Sequence, residues 1–197
     1  GAPCGLSLIC AFLCLDGSRI NTPHKGSSPS REPPRAHRQK SAPMGDNSRM
    51  STVFENIMSG VWPGRFVWAD DLCVAFATIE PTSPGHVLVV PRRPYEAWTD
   101  APSDVAAHLM TVARTIGIAQ KAAFGVPRVG LVIAGFDVPH THLHVIAARD
   151  ETDVLLSKAA PASEEELDSA MSALRGALLA AGHGAHVPPS MSSAALG

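Results

Sequence analysis

Three histidines at every second position, His140, His142 and His144, stand in an otherwise apolar run from Val138 to Ala147. If that run is a strand, side chains alternate faces and the three imidazoles share one face, at steps of about 6.6–6.8 Å. Buried imidazoles need partners and fill a core poorly, so the pattern points to chemistry rather than packing. Two chemistries fit. Ring nitrogens at i and i+2, with a third ligand, can hold a metal and leave a position open for water. Alternatively, a neutral imidazole attacks phosphorus and carries a covalent phosphohistidine-type intermediate. Ala134-Gly135, just upstream, favours the second, because bare backbone N–H groups there can approach an anion.

The remaining sequence must supply a scaffold that holds these residues. Phe54-Glu55-Asn56-Ile57-Met58 reads as a short helix, stopped by Ser59-Gly60. Arg65 to Trp68 and Leu72 to Ile79 are β-branched and aromatic runs on either side of Asp70-Asp71, which predicts a hairpin. The turn Pro81 to Gly85 leads into His86 to Pro91, an apolar strand ended by proline. Pro102-Ser103-Asp104 opens the main helix, with Val105, Leu109, Val112, Ile116, Ala119 and Ala123 on one face and Gly125 at its end. Strands are expected over Val129 to Ile133 and Val138 to Ala147. Ser163 and Glu166 form the capping-box pattern of a last helix through Leu167, Met171, Leu174 and Leu178. Strands with short connections and separate helices predict an α+β antiparallel sheet.

Several segments together resemble the histidine-triad (HIT) family: Gly85 to Pro91, Ala134-Gly135, Val138, and His140 to Ile146, with Phe54 to Gly60 and Trp68 to Phe76 matching the family's opening segment. The resemblance spans roughly residues 53 to 180 and implies a HIT-like five-stranded antiparallel sheet with two main helices, paired as a homodimer. It implies a hydrolase or transferase acting on the α-phosphate of a nucleoside phosphoramidate or dinucleoside polyphosphate, with a purine nucleotide as ligand. His142 is then the nucleophile, and His140 and His144 contact the phosphate. Gly135, Phe136, Asp137 and Thr78 fall at the substrate, and a backbone carbonyl fixes the tautomer of His142, as the attack requires. Attack expels an amine or polyphosphate and water releases the monophosphate, so the step itself calls for no metal or redox cofactor.

This chain departs from the family pattern at several of these places. Pro94 replaces a histidine after the apolar strand, Val129 an asparagine, Phe136 a glutamine and Asp137 a serine or threonine. Thr78 stands where an aspartate usually binds ribose. These departures leave a nucleotide-binding protein with little turnover as an alternative, beside a metal-dependent hydrolase using the three histidines as ligands. Asp137 reads equally as a turn cap or a leaving-group contact, His86 as a supporting residue, and Arg92 and Arg93 as a solvated pair. The family's zinc-binding branch uses paired cysteines near the domain start. Only Cys73 lies there, so no structural metal is expected.

Bulk properties agree. A net charge of −2 gives no electrostatic reason to expect nucleic acid or an anionic membrane as partner. Three of the four cysteines, Cys4, Cys10 and Cys14, crowd the N-terminus, so no disulfide framework can cross the body, and a reducing, cytoplasmic location is expected. The apolar stretch Leu6 to Leu15 is too short to span a bilayer. Residues 1–49 read as a disordered or non-native extension rich in Ser, Pro and basic residues, 50–182 as the domain, and 183–197 as a flexible tail.

Overall fold

Near the start of the described residues, Thr52 closes a capping box. Its hydroxyl accepts the Glu55 N–H while the Glu55 carboxylate accepts its own, and this begins α1 (Val53–Met58). The computed structural model describes residues 51–195, and the extension expected over 1–49 lies outside them. After α1 come β1 (Phe66–Ala69), β2 (Cys73–Ala77), β3 (Val87–Pro91), α2 (Ser103–Phe124), β4 (Arg128–Val132), β5 (Leu143–Ala148) and α3 (Glu164–Ala180). The strands form one sheet in the order β1-β2-β3-β5-β4, every pair antiparallel. The expected α+β, HIT-like sheet with two main helices is therefore what the chain builds.

Alternation sorts the side chains between two faces. Ala75, Val87, Val89, Leu143 and Val145 meet Leu109, Val112 and Ile116 of α2 and Met171, Leu174 and Leu178 of α3. Phe66, Val74, Phe76, Leu88 and Val90 face the other way and pack with Phe54 of α1. Fully burying a side chain of this size stabilises the fold by about 1.5–3 kcal/mol. A register shift between Phe66 and Trp68 breaks the alternation in β1, so that Val67 and Trp68 both join the helix-side cluster. Gly85 takes φ +87°, and a Cβ there would strike the Phe124 ring at 2.2 Å. Only glycine lets the turn deliver His86 to the start of β3.

Two expectations need correction. The strand predicted from Val138 begins only at Leu143. Pro139 has no N–H to give to a ladder, the His140 N–H turns back to the Val138 carbonyl at 2.7 Å, and the Thr141 N–H reaches the Tyr95 carbonyl at 2.7 Å. The flexible tail expected over 183–197 is, over its described part, laid against the domain. Val187 and Ala194 are buried, the Phe66 N–H donates to the Met191 carbonyl, and the Arg175 guanidinium donates to the carbonyls of Phe66 and Pro188. Composition marked the segment as loop, and it missed that a loop can still complete a core. Ending the chain at Gly182 is expected to cost about 3 kcal/mol, from burial of Val187 and two or three hydrogen bonds. Urea unfolding of both lengths measures it. A loss below about 0.5 kcal/mol, the range of neutral surface changes, would mean the segment contributes nothing.

Candidate functional site

His140 is fully buried and its two ring nitrogens face different elements. Nδ1 lies 2.8 Å from the Thr52 hydroxyl and Nε2 lies 2.8 Å from the Pro91 carbonyl. A carbonyl only accepts, so Nε2 carries the proton and the hydroxyl donates to Nδ1. The N-cap of α1 and the end of β3 thus hold the ring between them. Its own carbonyl then accepts from His142 Nδ1 at 2.8 Å. That bond places the His142 proton on Nδ1 and leaves the Nε2 lone pair without a hydrogen-bond partner among the described residues.

The third histidine is set by a second chain of bonds. The Thr82 N–H donates to His86 Nδ1 at 3.2 Å, so the His86 proton sits on Nε2, which lies 3.0 Å from His144 Nδ1. His144 therefore accepts at Nδ1 and keeps its proton on Nε2. Burial, followed by the neighbouring His144, lowers the His86 pKa to about 3. Burial, followed by His142, lowers that of His144 to about 4. Both rings are neutral near pH 7. The His142 and His144 rings lie 4.9 Å apart, which gives a lone pair and an N–H donor side by side.

The Phe54 ring makes edge contacts with both His140 and His142, at 5.5 and 5.0 Å between centroids. It is also one wall of a cavity of about 350 Å³, shared with Ile57, Trp62, Phe76, Thr78 and Leu88. Leu88 is the cross-strand partner of His144, so the cavity adjoins the histidines through two of its walls. A largely apolar cleft with a few polar groups at one end suits a flat organic ring next to a polar reacting group.

The remaining candidates separate. Thr78 does line the cavity. Gly135, with φ +77°, Phe136, 96% exposed, and the exposed Asp137 lie on the β4–β5 loop. Among the described residues Asp137 makes no hydrogen bond or ion pair, so it does not act as a turn cap. Arg92 is no solvated residue: its guanidinium donates to the carbonyls of Asp70 and Ala194. Four contributors were missed in the sequence. Thr52 and Glu55 carried a legible Thr-x-x-Glu capping pattern. Phe54 and Thr82 gave no local signal, because their roles depend on contacts across the fold.

A HIT domain model matches residues 59–151. A HIT-like protein of Saccharolobus solfataricus is 33% identical over 118 residues, which cover 57% of this chain and 85% of that protein. The adenylylsulfatase HINT3 of Arabidopsis thaliana is 31% identical over 157 residues, 74% of this chain and 77% of the relative. Among solved structures, a Hit-like protein involved in cell-cycle regulation from Bartonella henselae superposes with a TM-score of 0.59 at 25% identity, covering 68% of this chain and 98% of the other. The sheet, the histidine run and these matches converge: the chain belongs to the histidine-triad (HIT) family.

Proposed function

We propose that the protein binds a nucleotide and transfers or hydrolyses its nucleoside monophosphate through a covalent intermediate on His142. The observation that carries this reading is the hydrogen bond from His142 Nδ1 to the His140 carbonyl, which leaves Nε2 without a hydrogen-bond partner among the described residues, beside the Phe54 ring that walls an apolar cavity. Nε2 attacks the α-phosphorus, an N–P bond forms, and the bond to the leaving amine, sulfate or polyphosphate breaks. Water then cleaves the N–P bond and releases the monophosphate. The neutral His144 presents its Nε2–H to the phosphate or to the departing atom, and a donor in place before the reaction needs no reorganisation. The base and sugar occupy the cavity, with Thr78 beside the sugar. Gly135, Phe136 and Asp137 approach the phosphate as their loop settles on the ligand.

The Arabidopsis thaliana relative is named an adenylylsulfatase, and chemistry at an adenylyl phosphorus is what this site's donor and lone pair suit. A homodimer belongs to the same reading. The outer edge of β4, which pairs with no strand among the described residues, has the exposed Leu131 and Phe136 nearby and suits a second copy.

Incubation with adenosine phosphoramidate, with and without a chelator, tests the reaction. Release of AMP at the same rate under both conditions is expected. Loss of activity on chelation would overturn the metal-free reaction, and no AMP release together with nucleotide protection against unfolding would make the protein a binder.

A further inference from the structure

Across the sheet from the histidines, on its helix side, three donors of different chemistry converge. Asp70 closes the β1–β2 turn, Cys73 opens β2, and His108 projects from the second turn of α2. One ligand atom from each lies within 4.8 Å of the other two. None of them takes part in the proposed phosphate chemistry.

The Asp70 carboxylate is crowded. Oδ1 accepts the N–H groups of Leu72 and Cys73 at 2.9 and 2.8 Å. Oδ2 is approached by Trp68 Nε1 and His108 Nε2, both at 2.8 Å, and by Cys73 Sγ at 3.6 Å. An ionised carboxylate offers about four lone-pair positions, so a fifth donor is surplus, and the long thiol contact is that donor. A cation replacing the thiol proton and the imidazole proton facing Oδ2 would remove the excess and leave the other three bonds in place.

We propose that Asp70, Cys73 and His108 bind a zinc-like divalent cation as a three-ligand site. Sulfur, imidazole nitrogen and carboxylate oxygen are the donor set that zinc prefers, with a fourth position for water. At zinc–ligand lengths of about 2.0–2.3 Å, tetrahedral ligands sit roughly 3.3–3.6 Å apart. The sulfur–oxygen distance already matches, and the nitrogen–oxygen distance has to open by about half an ångström. The His108 side chain is 32% exposed and Asp70 11%, which gives an entry path and a face for the water. Binding moves the His108 proton from Nε2 to Nδ1 and releases the thiol proton to solvent, so thiolate and carboxylate balance the dication. An outer shell is already built. The Trp68 indole and two backbone N–H groups hold the carboxylate, and Arg92 holds the Asp70 carbonyl at 2.6 Å. The expectation of no metal rested on the lack of a paired-cysteine motif, and the fold answers it by bringing the third donor from a distant helix.

Cobalt(II) tests this, since a cobalt–thiolate bond gives a near-ultraviolet charge-transfer band that imidazole ligands do not. The protein is the full chain with Cys4→Ser, Cys10→Ser and Cys14→Ser, so that Cys73 is the one thiol left. The expected result is a band that saturates at one equivalent, is displaced by zinc, and vanishes with Cys73→Ser. His108→Gln, at a partly exposed position, should leave metal-free unfolding nearly unchanged while weakening cobalt binding by about tenfold or more. No thiolate band in the sole-thiol protein would overturn the proposal. So would a band of equal affinity in His108→Gln, or an equal stabilisation of both proteins by zinc.

Discussion

His142→Ala is expected to lower turnover of adenosine phosphoramidate by at least about a thousandfold, a barrier increase of about 4 kcal/mol, while nucleotide affinity stays within a few-fold. The asymmetry follows from the geometry. On the proposed mechanism, deleting the ring removes the atom that forms the N–P bond, whereas the cavity walls Phe76, Thr78 and Leu88 remain. Loss of covalent catalysis acts on the transition state far more than on the ground state. His142→Gly with added imidazole should recover part of the rate, because a free imidazole can occupy the vacated space without the tether. Steady-state rates on a phosphoramidate and AMP binding on the same preparations decide the matter. Turnover by His142→Ala within about tenfold of wild type, or ~1.4 kcal/mol, would exclude His142 as the nucleophile.

The second large effect is on stability in acid. His86 has a pKa lowered from 6.5 to about 3 by burial and by His144, and His144 is lowered to about 4. In the unfolded chain both titrate near their ordinary value. Below about pH 6.5 the unfolded chain therefore takes up protons that the folded chain refuses. Stability present above that value is lost as the pH falls, until the folded pKa values are reached. For His86, which is 2% exposed, the loss approaches about 1.4 kcal/mol per pH unit, or about 2 kcal/mol by pH 5. His144 acts in the same direction, by less because solvent reaches it. Urea unfolding at pH 7.5 and 5.0 on wild type and on His86→Gln measures the difference. The variant should lose about 1–2 kcal/mol less than wild type across that interval. Equal losses in the two proteins would show that His86 is not held neutral by the fold.

Much of the scaffold was readable because it obeys local rules. The spacing of Val105, Leu109, Val112 and Ile116 predicts a helix, and all four lie on its buried face. Ser163 and Glu166 form the capping box that their spacing announced. Reading failed where a residue's role is fixed by something distant in the chain. Val138 to His142 had the apolar content of a strand, but Pro139 and the bond from Thr141 to Tyr95 divert the backbone. His86 read as a supporting residue at the head of a strand, and it is instead the group that orients His144. Arg92 looked solvated and is tied to Asp70 and to Ala194. The histidine run itself stood out from spacing alone. Which nitrogen of His140 and of His144 holds the proton was not legible, since that depends on groups distant in the chain, Pro91 and Thr52 for the first and His86 for the second.

The Thr52 hydroxyl couples the first helix to the histidines. The same oxygen accepts from the Glu55 N–H and bonds His140 Nδ1, and the helix it caps has six residues, far too few to persist alone in water. α1 therefore exists only as long as His140 and the sheet are in place, while Phe54 on that helix walls the cavity. Fraying of the helix start would therefore loosen both the cavity wall and the hold on His140. On the proposed mechanism, a molecule that fills the cavity would thereby steady His140, whose backbone carbonyl sets the proton on His142.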